Sequence, residues 1–157
     1  MVEIGDTAPN AKVKLSDIDN VNIDFELNQA YEKGKTVLYF FPAAFTGVCS
    51  SSSCSIRDDI SDFKELGANI YGISVDLPFS QKVFIKTNEL NYPVLSDWNK
   101  EAITGFGIVD ENFANFFRGI AKRSLFVIDE NKITYKWVAD NPGVFPPFDE
   151  LKSHLKS

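Results

Sequence analysis

The chain has 157 residues, a formal net charge of −6, and a composition that is 44% hydrophobic and 24% charged. These values predict one domain over residues 1–157 and argue against nucleic acid or an anionic membrane surface as a partner. No apolar stretch has the length of about 18 residues that a membrane span needs, and no basic-then-apolar leader is present. Two cysteines are too few for the disulfide framework of a small secreted domain, so we expect a cytoplasmic location.

Hydrophobic periodicity predicts alternating strands and helices in the first half of the chain. In order, these are extended segments at residues 12–15 and 21–27, a short helix at 28–33, a buried strand at 35–41, a helix from about 49 to 66, and a strand at 69–75. In the long helix, Ile56, Ile60 and Phe63 recur at helical spacing, while aspartates occupy the other face. Gly67 ends this helix.

The second half predicts a helix that begins at Pro78, an extended segment at 93–96 and a helix at 100–106. A hairpin of strands 124–128 and 133–138 follows, and a helix at 148–155 ends the chain. Residues 108–118 give no clear pattern. Strands that alternate with helices before a final hairpin predict an α/β fold with a central mixed sheet and helices on both faces. We expect the aromatic residues, including most phenylalanines, Trp98 and Trp137, to fill the core.

Cys49 follows the predicted buried strand and opens the long helix, so it lies at a strand–helix junction. Sites in α/β sheets form at the carboxyl ends of strands. A helix N-terminus also supplies unpaired amide N–H groups and the positive end of the helix dipole, both of which favour a thiolate over a thiol. Cys54 follows five residues later, after a run of four serines. This arrangement predicts redox chemistry, and scattered acids with two cysteines predict no metal site.

Pro42, Thr46 and Cys49 form the pattern Pro-x-x-x-Thr-x-x-Cys, which resembles the signature of the peroxiredoxin family. Other segments similar to that family are 5–9, 72–76, 94–97 and Arg123 before 125–129. The Cys-x4-Cys spacing resembles the PrxQ (bacterioferritin comigratory protein) subgroup. The resemblance implies a thioredoxin fold and a peroxidase that needs no cofactor. Such an enzyme reduces hydrogen peroxide and organic hydroperoxides, and a thioredoxin-like protein reduces its oxidised form. It leaves monomer and homodimer both open.

The resemblance also implies roles for the site residues. Cys49 would attack the peroxide and become a sulfenic acid, which Cys54 would convert to an intrachain disulfide. Thr46, Arg123 and backbone N–H groups would stabilise the transition state, and Pro42 would shield the sulfur from water. On an ideal helix, Cα atoms five residues apart are about 8.6 Å apart, whereas a disulfide tolerates about 4.4–6.8 Å. The first turns of the helix must therefore unwind during turnover.

Several alternatives stay open at this stage. Arg123 could instead form a surface salt bridge, Arg118 could be the activating cation, and Thr46 could act only as a helix cap. The serine run is interpreted first as a polar helix face and second as a tuned hinge. Many relatives carry glutamate where Ser52 stands here. The rival functions are a thioredoxin-like thiol–disulfide oxidoreductase, which normally needs Cys-x-x-Cys, and a non-catalytic thioredoxin-fold binding module.

Overall fold

The computed structural model describes all residues from 1 to 157. The elements in chain order are β1 (Lys12–Ser16), β2 (Ile23–Glu26), α1 (Leu27–Glu32), β3 (Thr36–Phe40), α2 (Gly47–Asp58), α3 (Ile60–Glu65), β4 (Asn69–Ser74), α4 (Pro78–Thr87), β5 (Val94–Ser96), α5 (Glu101–Phe106), β6 (Val109–Asp110), β7 (Ile120–Ala121), β8 (Ser124–Asp129), β9 (Lys132–Val138) and α6 (Phe148–Lys156). No helix has the length and apolar character needed to cross a membrane.

Seven strands form one mixed sheet in the order β2-β1-β5-β4-β3-β8-β9, while β6 and β7 form a separate two-stranded ribbon. β4 pairs in parallel with both β3 and β5, whereas β3–β8 and β8–β9 are antiparallel. Every residue of β3 is buried because this strand lies inside the sheet and both of its faces are covered. The predicted α/β fold with a mixed sheet is confirmed.

The core consists of two hydrophobic clusters, one on each face of the sheet. Alternate residues of β3 supply both clusters because side chains of a strand point to opposite faces. Leu38 and Phe40 join the cluster that includes α1 and α5. Val37 and Tyr39 join the cluster that includes α2, α3, α4 and α6, together with Cys49. Tyr39 therefore points towards the helix that carries both cysteines.

The predicted long helix from Cys49 to about residue 66 is in fact two helices that meet at Asp59. The backbone of Asp59, with φ −103° and ψ 12°, leaves the helical region. Aspartate is a poor helix former, and Lys152 of α6 contacts the Asp59 carboxylate with its Nζ at 2.7 Å. This contact accompanies the break and joins residues far apart in the chain, so local periodicity does not contain it.

Large apolar side chains are less uniformly buried than the sequence predicted. Trp98 is 57% exposed. Five of the 14 phenylalanines are also exposed: Phe45, Phe79, Phe116, Phe117 and Phe145. A core position is therefore wrong for Trp98 and these five phenylalanines, whereas eight other phenylalanines are buried. Composition cannot separate aromatic residues of the core from those of the surface. Trp137 does pack against the cluster that contains Cys49.

Candidate active site

A short loop between β3 and α2 carries the predicted site. Pro42 is buried two residues after the end of β3. Phe45 adopts a left-handed backbone with φ 68°, which turns the chain into the helix. Asp76, which follows β4, holds this loop in place through hydrogen bonds. Its Oδ2 accepts the Ala44 N–H at 2.9 Å and the Ser74 hydroxyl at 2.7 Å. Since β3 and β4 are parallel, their carboxyl ends lie side by side, and this brings Asp76 beneath the loop.

Cys49 is fully buried as the third residue of α2. The N–H groups of residues 47–49 precede the first i→i−4 bond of the helix, from Ser50 N to Thr46 O at 2.9 Å, and have no backbone partner. The sulfur accepts a hydrogen bond from Nη2 of Arg123 at 3.3 Å. A fixed cation and the positive end of a helix dipole thus converge on one sulfur atom.

Arg123 lies just before β8 and is only 3% exposed. Its Nη1 donates to the Tyr39 hydroxyl at 2.6 Å, and its Nε and Nη2 donate to the Pro142 carbonyl at 3.2 and 3.0 Å. It forms no ion pair with a carboxylate, so the surface salt bridge considered above is not present. Burial opposes the charge, but the contacts with Tyr39 and Cys49 outweigh it and raise the pKa of Arg123.

Tyr39 and Ser52 belong to the same hydrogen-bond network, and the sequence analysis did not assign either to it. The two hydroxyls bond directly to each other. The Ser52 hydroxyl donates in turn to the Val48 carbonyl at 2.7 Å, within the first turn of α2. The available sequence signal was Tyr39, the one residue with a polar group in the apolar run 37–41. Alternation along the strand assigns its side chain to the same face of the sheet as the cysteine helix.

The serine run is not a solvated helix face throughout. Ser51 is exposed, but Ser52 and Ser53 are buried, so the first interpretation is wrong for these two residues. Ser52 faces Tyr39, and the Ser53 hydroxyl has no hydrogen-bond partner. The Ser53 carbonyl accepts the Tyr92 hydroxyl at 2.9 Å.

Thr46 is the N-cap residue of α2, but its side chain makes no capping bond. Its hydroxyl donates instead to the Ala43 carbonyl at 3.0 Å, which leaves the lone pairs of the oxygen free. Arg118 is exposed in the segment after β6 and forms no hydrogen bond or ion pair, unlike Arg123. The single histidine, His154, contacts Thr134 rather than a cysteine.

Cys54 lies five residues, or about 1.4 turns, further along α2 and is half-buried. Its thiol donates to Oδ1 of Asn88, at the C-terminal end of α4, over 3.5 Å. Arg57 anchors the same region by donating to the Asn88 carbonyl at 2.6 Å. Both cysteines are free thiols, and α2 is wound across both of them. A disulfide between them therefore requires a local change of backbone.

Comparison with known proteins gives the family of the chain. A family model described as the AhpC/TSA family matches residues 4–136. Peroxiredoxin Q of Gentiana triflora chloroplasts is 35% identical over 157 residues, which cover 99% of this chain and 66% of that protein. A Mycobacterium tuberculosis protein described as a peroxiredoxin is 34% identical over 129 residues, or 81% of this chain and 78% of that one. The crystal structure of peroxidoxin BcpB from Mycobacterium tuberculosis matches with a TM-score of 0.83 at 26% identity, over 99% and 97% of the two chains.

The fold and the comparisons together define a thioredoxin-fold, thiol-dependent peroxidase. The chain belongs to the AhpC/TSA family and is a peroxiredoxin. The similarity to peroxiredoxin Q agrees with the Cys-x4-Cys spacing of residues 49 and 54. The thioredoxin-like oxidoreductase and the non-catalytic binding module are not better supported than this assignment.

Proposed function

We propose that Cys49 is the residue that reacts with the hydroperoxide. The Cys49 thiolate attacks one peroxide oxygen, so an S–O bond forms while the O–O bond breaks. Hydroxide or alkoxide leaves and takes up a proton, and Cys49 becomes a sulfenic acid. The observation that carries this proposal is the contact of 3.3 Å between Cys49 Sγ and Arg123 Nη2 at the N-terminus of α2.

The surrounding groups suit the charge that moves in this step. Negative charge passes from sulfur to the departing oxygen, so donors fixed near both atoms stabilise the transition state more than the ground state. Arg123 and the free amide groups of residues 47–49 supply such donors. Thr46 already donates to a carbonyl, so its oxygen acts as an acceptor for the O–H of the peroxide. Pro42 has no N–H and covers the site without offering a competing donor.

Cys54 completes the proposed cycle. Its sulfur attacks the Cys49 sulfenic acid, so the S–O bond breaks, water leaves, and an intrachain disulfide forms. The two electrons that reduce the peroxide thus come from the two thiols. A thioredoxin-like dithiol then reduces the disulfide, which suits the reducing conditions of a cytoplasmic location. Hydrogen peroxide and organic hydroperoxides are the proposed substrates.

The test is to mix the reduced protein with one equivalent of hydrogen peroxide and to follow thiol loss. Wild type should lose both thiols rapidly, and Cys49→Ser should not react. Cys54→Ser should complete the first step and stop at the sulfenic acid, which a dimedone-type probe traps. A thiol–disulfide oxidoreductase would react slowly, and a binding module would react at the rate of free cysteine. Rapid peroxide consumption by Cys49→Ser would overturn the assignment.

A further inference from the structure

A buried phenol stands between the cation of the site and the helix that carries the cysteines. Tyr39 is fully buried on β3, and its hydroxyl contacts both Arg123 and Ser52. Arginine can only donate, so the Tyr39 oxygen must accept from Nη1 of Arg123. The Tyr39 O–H is then free to donate to Ser52, whose own hydroxyl donates to the Val48 carbonyl. The hydrogen bonds therefore run in one direction, from Arg123 to the first turn of α2.

This chain sets the direction in which Arg123 points. A guanidinium is planar, so fixing some of its N–H groups fixes the others. Tyr39 holds Nη1, while the Pro142 carbonyl holds Nε. Nη2 is shared between that carbonyl and the sulfur of Cys49, so it is the group aimed at the reacting atom. Without the Tyr39 oxygen, Nη1 would lose its only acceptor in a buried place, and one restraint on the guanidinium plane would be lost.

The phenol also preserves the positive charge of the site. A carboxylate in this position would neutralise the guanidinium, but burial raises the pKa of Tyr39 to about 12, so the side chain stays neutral. Arg123 forms no ion pair, and Tyr39 and Cys49 are the only titratable groups that bond to it. Its charge is therefore available to the sulfur and to the oxygen that leaves.

We propose that Tyr39 is a positioning residue for peroxide reduction. Its hydroxyl orients the Arg123 guanidinium towards the Cys49 sulfur. Through the bond from Tyr39 to Ser52, this orientation depends on whether the first turn of α2 is helical. This inference rests on the proposed function of Cys49. It extends that function by assigning a role to Tyr39 and Ser52, which lie outside the sequence signature. It also couples the winding of α2 to the orientation of Arg123.

The test compares three tyrosine-to-phenylalanine variants, each of which removes one buried hydroxyl. Tyr39→Phe removes the contact with Arg123 and with α2. Tyr92→Phe removes a bond to α2, at the Ser53 carbonyl, without touching Arg123. Tyr31→Phe removes a bond to the Pro9 carbonyl on the other face of the sheet. Tyr39→Phe removes two hydrogen bonds and the other two variants remove one each, so thermal melting is used to separate a general loss of stability from an effect on Arg123.

Tyr39→Phe should slow the first step with hydrogen peroxide about tenfold and move the midpoint of its pH–rate profile upwards, because the Arg123 guanidinium is no longer held against the Cys49 sulfur. Tyr92→Phe and Tyr31→Phe should keep the wild-type midpoint and stay within about twofold of its rate. Stopped-flow mixing with thiol detection measures this step, and thermal melting shows that each variant is folded.

Two outcomes would overturn the inference. One is a Tyr39→Phe protein with the rate and pH profile of wild type, and the other is a Tyr92→Phe protein that shows the same shift. Should Tyr39→Phe not fold, Ser52→Ala is the second test, because it keeps the bond between Tyr39 and Arg123 but removes the bond from Tyr39 to α2. Its pH–rate profile should shift in the same direction by a smaller amount. An unchanged profile would refute the coupling between the helix and Arg123. A peroxide-reactive Cys49→Ser protein would instead refute the proposed function itself.

Discussion

Replacing Ser53 with alanine should stabilise the wound form of α2 and slow the second step of turnover. The Ser53 hydroxyl is buried without a hydrogen-bond partner, and such a group costs about 1–3 kcal/mol. Alanine removes this cost and adds about 0.5 kcal/mol of helix propensity. With a small loss of packing where the oxygen was, we expect a net stabilisation of about 2 kcal/mol.

The kinetic consequence depends on whether α2 unwinds before the sulfurs meet. In an unwound segment Ser53 is solvated, so the whole stabilisation opposes unwinding, and resolution should slow about thirtyfold. Peroxide attack uses the wound helix and should change little. Stopped-flow fluorescence of Trp137, which packs in the same cluster as Cys49, should separate the two phases. The variant should also overoxidise more readily at high peroxide, because its sulfenic acid lives longer.

Ser51→Ala is the matched control, since Ser51 lies in the same turns of α2 but is exposed. It gains only the propensity of about 0.5 kcal/mol, so its resolution should slow about twofold. A Ser53→Ala protein that melts at a higher temperature yet resolves at the wild-type rate would refute unwinding as the limiting event. An unchanged melting temperature would instead refute the stabilisation worked out for the hydroxyl.

Three further predictions concern the surroundings of the site. Arg123→Ala should slow peroxide reduction about a hundredfold, since it removes the cation beside the sulfur and the transition state. Arg118→Ala should keep a rate within about twofold of wild type, and initial rates of the two variants decide between the arginines. Asp76→Ala should release the loop before Cys49 and lower the same rate about tenfold, with a smaller effect from Asp76→Asn, which keeps an acceptor. Burial raises the pKa of Asp97 to about 6, so the folded state favours the neutral acid. Wild type should therefore lose about 2 kcal/mol of stability relative to Asp97→Asn as the pH rises from 4 to 7, measured by urea unfolding at each pH. A constant difference between those two proteins across that range would contradict the last assignment.

The parts of the fold that depend on local pattern could be predicted from the sequence. The apolar run before Pro42 became β3, and the periodicity after Cys49 became α2, so the cysteine was placed at the junction of strand and helix. The parts that depend on distant contacts could not be predicted in this way. The break at Asp59 involves Lys152, which lies 93 residues away in the chain. The ribbon of β6 and β7 has only two residues in each strand, too few for any periodicity to appear.

The site shows the same division. Pro42, Thr46 and Cys49 lie within eight residues, so a short pattern is enough to propose them together. Arg123 was proposed only through a family resemblance, because its contact with Cys49 joins residues 74 positions apart. Tyr39 was not proposed at all. Alternation in β3 predicts the face that it occupies, but its bond to Arg123 joins residues 84 positions apart and follows from the pairing of β3 with β8.

In the proposed cycle, the first turns of α2 must satisfy opposite demands, and their contacts are consistent with both. Peroxide attack needs the wound helix, which the Tyr39–Ser52 contact and the Tyr92 bond to the Ser53 carbonyl hold in place. Disulfide formation needs the unwound segment, which serine-rich composition and the unpartnered Ser53 hydroxyl favour. Each 1.4 kcal/mol, about one such contact, changes the unwound population tenfold. Because Ser52 is also linked to Arg123 through Tyr39, unwinding removes support from the cation, and a newly reduced Cys49 should regain full peroxide reactivity only after the helix has rewound.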